Sequence, residues 1–280
     1  MTTATVGQLI PILLYHSITE NATRRYRRYA IDPEQFRQQM QAIAAGGFRT
    51  LTIAEFVSIL ADPGADLPER CLLITFDDGF DDVHRVALPI LAGLGLRATA
   101  FLVTEHIGGT SRWLVPDGEG GRRLMAWPQI RDLARGGFEI GSHSHSHPQL
   151  DTLTVREAED EIRRSREVLE EGLGSRVTSF AYPHGYYSTR IRELIRANGY
   201  TAGCSVKHAL SHRADDPLAL GRVVVSADTA AHRFAAWIDG RELPAAWSGE
   251  RSRTIAWRTV RRIRARLRGS PSSRGPAAAT

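Results

Sequence analysis

Short runs of apolar residues alternate along the chain with longer stretches in which apolar residues recur every three or four positions. The short runs predict buried strands, and the periodic stretches predict amphipathic helices. The strands predicted in this way cover residues 9–16, 72–76, 98–103, 138–142, 177–182, 200–206 and 222–226. Because strands and helices alternate, the pattern favours an α/β fold built on a parallel sheet or barrel.

Two of the predicted helices have clear start signals. Asp32 followed by Pro33 is typical of an N-cap with proline in the first turn. Thr154 and Glu157 have the spacing of a capping box. The residues that we expect to face the core are Phe36, Met40 and Ile43 in the first helix and Ala158, Ile162 and Leu169 in the second.

Several predicted strands end in histidine or aspartate. These residues are His16, Asp77 with Asp78, His143 with His147, and His184. In parallel α/β folds the carboxyl ends of the strands usually hold the chemistry. Helix capping is the alternative for the acidic group, since a helix is predicted to begin near Val83. Capping would explain Asp81 or Asp82 better than the pair at the strand end.

His143 and His147 are four residues apart, so one helical turn would place both imidazoles on the same side. Together with Asp78 they form a three-ligand set that leaves coordination positions open, as a catalytic zinc requires. A chance histidine-rich loop is the alternative. Pro148 and the strand before His143 argue against it, because both fix the loop. His145 is expected to face away from the ligands.

Asp77 and Asp78 are neighbours on an extended segment, so their side chains point in opposite directions. Asp77 is therefore predicted to act as a general base rather than as a ligand. His16, at another strand end, is predicted to be the acid that protonates the leaving group. Together these roles indicate metal-assisted hydrolysis of an amide or an ester.

The net charge of +5 is unevenly distributed along the chain. Residues 251–280 contain nine arginines and no acid, so the rest of the chain holds 27 basic and 31 acidic residues. Trp257, Val260, Ile263 and Leu267 recur in this segment at helical spacing. This pattern predicts either contact with an anionic membrane surface or a helix packed on the body with its arginines solvated. Nucleic acid is not an expected partner, because no base-stacking motif accompanies the charge.

The segment before the first predicted strand lacks a basic n-region, and no apolar stretch approaches the length of a membrane span. A cytoplasmic location, with possible membrane-surface association, is therefore the expectation. Cys71 and Cys204 are too few for a disulfide scaffold and are predicted to be buried free thiols. Residues 269–280 are rich in Pro, Ser, Gly and Ala, which predicts disorder.

Two segments around the proposed ligands resemble a known family. Thr75-Phe76-Asp77-Asp78-Gly79 and His143-Ser144-His145-Ser146-His147-Pro148 are similar to the first two motifs of the polysaccharide deacetylases, carbohydrate esterase family 4. The resemblance implies a distorted (β/α) barrel of about seven units in residues 1–240, followed by a basic segment in residues 241–280. It also implies a divalent metal, usually Zn²⁺, and removal of N-acetyl groups from N-acetylglucosamine-type carbohydrates. By position, Asp77 would be the base, and Asp78, His143 and His147 the metal ligands.

The third motif of this family is only partly present. Ala181 stands where the family usually has an arginine that pairs with the base, so that contact is predicted to be lost. His184 stands where a tyrosine usually offers its backbone N–H to the oxyanion, and that backbone donor can be retained at His184. Tyr182, His184 and Trp113 are the candidates for contacting substrate or oxyanion, and Trp127 is a further candidate for sugar stacking.

The family's late leucine-histidine motif, which supplies the acid, is not evident in this chain. The opening Leu13-Leu14-Tyr15-His16-Ser17-Ile18 instead resembles the circularly rearranged branch, in which an early histidine supplies the acid. This favours His16 over His208 for that role.

The leading prediction is thus a metal-dependent hydrolase that removes an N-acetyl group from a sugar. Two alternatives remain open from the sequence. One keeps the metal site but acts as an amide or cyclic-imide hydrolase or as an O-acetyl esterase. The other is a catalytically silent carbohydrate-binding domain, against which the intact set of Asp77, Asp78, His143 and His147 argues.

Overall fold

The computed structural model describes residues 8–247 and 256–262. Its strands are β1 (Leu9–Ile10), β2 (Ile12–Tyr15), β3 (Ser17–Ile18), β4 (Ala30–Ile31), β5 (Arg49–Leu51), β6 (Cys71–Phe76), β7 (Thr99–Leu102), β8 (Glu139–Ser142), β9 (Ser179–Ala181), β10 (Ala202–Cys204), β11 (Ser211–His212) and β12 (Val223–Val224). Its α-helices are α1 (Pro33–Ala45), α2 (Ile53–Ala61), α3 (Leu88–Gly93), α4 (Trp127–Arg135), α5 (Val155–Leu173), α6 (Thr189–Ala197) and α7 (Ala231–Ile238).

The main sheet is parallel throughout and has the strand order β10-β9-β8-β7-β6-β2-β12, with β5 paired to the start of β6. The sheet curls until its two ends meet in one segment. Leu220 bridges Cys204 at the end of β10, and a few residues later β12 pairs with β2. The Ser205 N–H donates to the Leu220 carbonyl across this closure at 2.8 Å. The predicted distorted barrel of about seven strands is thereby confirmed.

The helix start signals act as predicted. Asp32 caps α1 by accepting hydrogen bonds from the N–H groups of Glu34 and Gln35. Thr154 and Glu157 form the capping box of α5. The apolar residues predicted for both core-facing sides are buried. Both helices therefore bury their apolar sides in the core, and the parallel strand order places the carboxyl ends of the strands at one rim.

The residues beyond the predicted domain boundary at 240 stay on the body of the protein. The Leu210 N–H donates to the Pro244 carbonyl at 2.9 Å, and the Ala246 N–H donates to the Leu210 carbonyl at 2.6 Å. Both cysteines are buried free thiols, as predicted. No helix in the described ranges has the length and apolar composition that crossing a bilayer requires. The cytoplasmic location stays a prediction.

The arginine-rich segment is packed on the body, as one of its two predictions had it, but the contacts are made by arginines that were expected to be solvated. Residues 256–262 form a helical segment in which Arg261 is buried, whereas Trp257 is 42% and Val260 is 37% exposed. Arginines of this segment thus contact the body, whereas Trp257 and Val260, from the expected apolar side, are partly exposed. This arrangement gives no support to the predicted membrane contact. Ile263, Leu267 and the tail at 269–280 lie outside the described residues.

Candidate metal centre and active site

A sharp turn after β6 separates the roles of Asp77 and Asp78. The Asp77 N–H still donates to the Tyr15 carbonyl at 3.0 Å, so this residue continues the ladder between β2 and β6. Asp78 then has φ of +75° and Gly79 φ of +80°. A Cβ at position 79 would lie 3.0 Å from a methyl carbon of Leu102. The turn therefore requires glycine, and both of the adjacent carboxylates before it are buried.

His143 and His147 meet through bends rather than through the predicted helical turn. Their ring centroids are 4.9 Å apart, but the segment that joins them is not helical. Ser144 has φ of +66° and His147 φ of +67°. Pro148 argues against a helical turn here, because the right-handed helical region is sterically disfavoured for a residue before proline. The expected proximity is present, and the expected backbone conformation was wrong.

Asp78, His143 and His147 form a group that could hold a metal ion. One potential ligand atom from each lies within 4.8 Å of the others, and all three residues are buried. The Nε2 atoms of His147 and His143 lie 3.3 and 3.7 Å from Oδ1 of Asp78. The Nδ1–H of His143 donates to the Ala181 carbonyl at 2.8 Å, which leaves the lone pair of this ring on Nε2.

The charges and unpaired atoms of this group suit a divalent cation. Burial and the neighbouring Asp77 raise the pKa of Asp78, whose Oδ1 has no hydrogen-bond partner among the described residues. Burial lowers the pKa of both His143 and His147, so the two rings are neutral at pH 7. A neutral imidazole is the form that binds a metal, and a bound cation would compensate the buried carboxylate. The donor set therefore fits a metal.

Arg222 makes the contact that the sequence predicted to be lost. Its Nη1 and Nη2 donate to the two carboxylate oxygens of Asp77, each at 2.7 Å, and both side chains are buried. The Arg222 Nε also donates to the Ser205 carbonyl at 3.3 Å. The prediction from Ala181 was wrong, because the arginine comes from the segment that closes the barrel and not from the strand that the family motif uses.

This ion pair sets the protonation of Asp77. Burial alone would raise the pKa of its carboxyl group, but the Arg222 guanidinium and His143 hold that pKa below its ordinary value. Asp77 is thus ionised at neutral pH and is fixed by Arg222. Its Oδ2 lies 3.7 Å from Nε2 of His143, which is close to the proposed ligands.

His16 follows β2 and lines the same pocket as Asp77. Burial lowers the pKa of His16 to about 4, although the negative charge of Asp77 opposes that shift. Its Nδ1 is buried and has no hydrogen-bond partner among the described residues. The alternative, His208, packs edge-on against Trp237 at 5.3 Å and is not among the residues that line this pocket.

The pocket has a volume of about 260 Å³. Trp113 forms one wall and stacks between His106, at 5.3 Å, and His147, at 5.1 Å. His184 lies on the other side of His147 at 4.8 Å, and burial lowers its pKa to about 4. A larger and shallower depression of about 470 Å³ lies beside Asp151 and Arg262, away from these groups.

Tyr182 is not placed in the pocket. Its hydroxyl donates to the Leu218 carbonyl at 2.8 Å, and its backbone N–H donates to the Cys204 carbonyl at 3.0 Å. Both of its donors are therefore occupied in the core. His145 also points elsewhere, as expected, because its Nδ1 pairs with Thr104 Oγ1 at 2.9 Å.

Tyr26 is a pocket residue that the sequence interpretation missed. It lines the pocket together with Asp78, and it is 2% exposed. Its hydroxyl has no hydrogen-bond partner in the described part of the chain. Burial raises the pKa of this phenol, and Asp78 raises it further, so the hydroxyl is a protonated donor beside the proposed ligands. Its position among four arginines in a polar loop gave no sequence signal.

Comparison with known proteins supports the same chemistry. Residues 64–203, half of the chain, match the family model described as polysaccharide deacetylase. YxkH of Bacillus subtilis (strain 168), which is named after the polysaccharide deacetylases, is 28% identical over 230 residues that cover 82% of this chain and 76% of YxkH. A poly-beta-1,6-N-acetyl-D-glucosamine N-deacetylase of Staphylococcus epidermidis is 23% identical over 217 residues, covering 74% of this chain and 72% of that relative.

Solved structures share the fold over most of the chain. IcaB from Ammonifex degensii aligns with a TM-score of 0.69 and 25% identity over 83% of this chain and 98% of its own. The Streptococcus pyogenes deacetylase PplD, solved in complex with acetate, aligns with a TM-score of 0.69 and 22% identity, covering 84% of this chain and 99% of that chain. At its lower identity, PplD supports the fold alone.

Proposed function

Because the chain belongs to the polysaccharide deacetylase family, we propose that it is a metal-dependent hydrolase that removes N-acetyl groups from an N-acetylglucosamine-containing polymer or conjugate. The bond that breaks is a carbon–nitrogen bond other than a peptide bond. One observation carries the proposal: a single pocket holds the three-ligand set and, beside it, a carboxylate fixed by a separate arginine. Sugar binding alone would require neither.

Asp78, His143 and His147 would hold the metal, and Zn²⁺ is the ion we propose. Two imidazoles and one carboxylate are a ligand set typical of catalytic zinc, and they leave coordination positions open. When bound, such an ion polarises a carbonyl group and lowers the pKa of a water molecule. The hydrogen bond from His143 to the Ala181 carbonyl fixes the ring that faces Asp78.

Asp77 is our proposed general base. The carboxylate is ionised, lies beside the ligands, and accepts two hydrogen bonds from Arg222 that fix its direction. It can therefore take a proton from the water that attacks the acetyl carbon. Because its pKa is low, Asp77 is a weak base, which favours passing this proton onward over keeping it.

His16 is our proposed general acid. In the free protein the ring is neutral, so it must gain a proton before it can donate one. The proton taken up by Asp77 is a suitable source, since both residues line one pocket. The proton would then pass from water to Asp77, from Asp77 to His16, and from His16 to the amine nitrogen as the carbon–nitrogen bond breaks. The products are acetate and a free amino sugar.

The hydroxyl of Tyr26 is our proposed donor to the oxyanion of the tetrahedral intermediate. Tyr182 cannot serve, because both of its donors are occupied in the core. Tyr26 is buried in the pocket lining with its hydroxyl unpaired among the described residues. A donor held in a water-poor site stabilises developing negative charge strongly. His184 and Trp113 would form the walls against which the sugar ring packs.

The substrate class can be tested by measuring acetate and free amine together. The zinc-loaded protein should release both from β-1,6-linked N-acetylglucosamine oligomers, and Asp77→Asn should release neither. An O-acetylated sugar of similar length separates the two hydrolytic reactions, because an O-acetyl esterase would release acetate without forming an amine. The proposal would be overturned if the protein released acetate from that ester but formed no amine from any N-acetylated oligomer.

A further inference from the structure

The arginine-rich helical segment 256–262 is fastened to one buried carboxylate. Arg261 is 6% exposed, and its two terminal nitrogens donate to the two oxygens of Asp151, each at 2.7 Å. The Arg258 Nε donates to Asp151 Oδ2 at 3.1 Å, and the Arg262 Nε donates to the Asp151 carbonyl at 2.9 Å. Asp151 is 1% exposed, so it needs these partners.

The same segment also contacts a second loop. The Arg261 guanidinium lies over the ring of Tyr186, 3.8 Å from its centroid. The Arg258 Nη2 donates to the Tyr187 carbonyl at 3.2 Å. The planar guanidinium can use its edge for a carboxylate and its face for an aromatic ring at once, which an ammonium group cannot do. One side chain therefore joins Asp151 to Tyr186.

Both of these loops lead directly to the pocket. Asp151 lies in the turn Leu150–Thr152, shortly after His147, and Tyr186 comes two residues after His184. His147 has φ of +67° and His184 φ of +59°. A residue other than glycine keeps such a conformation only when its surroundings enforce it. The two rings lie 4.8 Å apart, so movement of either loop would change their relation.

We propose that Arg261 is a positioning residue, which ties the two loops together and thereby holds His147 and His184 in the geometry of the pocket. This role would give the C-terminal arginines a function inside the protein. The link to metal binding rests on the proposed function, whereas the link to loop order does not.

The test compares Arg261→Ala with a matched control, Arg166→Ala. The Arg166 Nε donates to Glu170 at 2.9 Å, the same side chain donates to the Asn198 carbonyl, and its guanidinium faces the Tyr200 ring at 5.8 Å. Like Arg261, Arg166 thus pairs with a carboxylate and faces an aromatic ring, but none of these three partners lies in residues 148–153 or 183–187. Zn²⁺ affinity is measured by competition with a chelating dye, and amide hydrogen exchange is followed across the whole protein.

Arg261→Ala should weaken Zn²⁺ binding about 10- to 100-fold, the usual cost of losing a group that orients a ligand. It should also speed exchange in residues 148–153 and 183–187. Arg166→Ala should lower the melting temperature without either effect. Arg261→Lys should recover only part of the affinity, because lysine cannot bridge both partners. If Arg261→Ala proves too unstable to purify, Tyr186→Leu removes the stacking and should give smaller changes in the same direction.

The proposal would be overturned if Arg261→Ala had only a lower melting temperature. In that case its Zn²⁺ affinity and the hydrogen exchange of both loops would equal those of the wild type. Neither measurement uses a substrate. A wild-type protein that binds Zn²⁺ but releases no amine would therefore refute the proposed function and leave this inference standing. If the wild-type protein bound no Zn²⁺, the exchange data would still decide whether Arg261 holds the two loops in place.

Discussion

Arg222 and Asp77, which are 145 residues apart in the chain, form a buried ion pair with two hydrogen bonds of 2.7 Å. The pair connects the segment that closes the barrel to the end of the central strand β6. Because the guanidinium keeps Asp77 ionised, one contact contributes both to the stability of the fold and to the readiness of the proposed base.

Arg222→Ala should therefore be costly in two measurements. Removing one partner leaves a buried carboxylate unpaired, and the free energy of unfolding should fall by about 3–5 kcal/mol. Deacetylation should fall as well, because Asp77 loses its orientation. Urea denaturation and amine release measure the two effects. Arg222→Lys keeps the charge without the paired geometry and should be intermediate in both. An alanine variant with wild-type stability and activity would refute this role.

The ligand set can be separated from the base by substitution. Asp78→Ala or His147→Ala should lose bound metal, whereas Asp77→Asn should retain it and lose turnover by about 10²–10⁴-fold, the usual contribution of a general base. Metal content is measured by elemental analysis after dialysis. His145→Ala is a control from the same loop, since this ring pairs with Thr104 and lies outside the ligand group. Loss of metal from Asp77→Asn would mean that the assignments of Asp77 and Asp78 are wrong.

Tyr26→Phe tests the proposed oxyanion donor. The substitution removes one hydroxyl and should lower kcat by about 10²–10³-fold, as for other oxyanion donors, while KM and Zn²⁺ content change little. Tyr187→Phe is the matched control, because its hydroxyl is also buried without a hydrogen-bond partner among the described residues but does not line the pocket. Equal kcat in the two variants would exclude Tyr26 as the donor.

Asp82 should make the protein less stable as the pH rises. Burial raises the pKa of this carboxyl group from 3.8 to about 6, despite a hydrogen bond from Ser17. Between these values the folded state binds more protons than the unfolded state, so stability falls with increasing pH and the loss is complete above pH 6. The shift of about two pKa units corresponds to roughly 3 kcal/mol.

Asp82→Asn should remove this dependence. The unfolding free energy of the variant minus that of the wild type should therefore increase by roughly 2.4 kcal/mol between pH 4 and pH 7, because part of the change already lies below pH 4. Urea denaturation at several pH values gives this difference directly. Asp160→Asn, on the exposed side of α5, should not show the increase. A flat difference for Asp82→Asn would show that Asp82 does not titrate in this way.

The sequence predicted the barrel and the ligand set because both depend on local signals. Apolar runs located the strands, and Asp78, His143 and His147 stand directly at strand ends or in one short motif. Asp78 follows β6 and His143 follows β8, the two parallel neighbours of β7, so the sheet places both at one rim without further information. The pair β5 and α2 was missed, although Thr52 and Glu55 form a capping box that could have indicated the helix.

Contacts between distant segments could not be predicted from the same signals. The arginine that pairs with Asp77 lies in the closing segment, and no spacing rule connects Arg222 to a motif at residue 77. Tyr26 depends on how a polar loop folds over the pocket. For residues 256–262, helical periodicity predicted that the arginines would face solvent. Arg261 is buried instead, because it pairs with Asp151, which lies 110 residues earlier in the chain.

The closure of the barrel limits how this protein can be trimmed or transplanted. A fragment of residues 64–203, the span that matches the family model, would contain every proposed metal ligand and the proposed base. It would omit strand β2 with the His16 that follows it, and the segment that provides Arg222. We expect such a fragment to have an open sheet edge and an uncompensated anion at its centre. Engineering of the site must therefore retain both flanks.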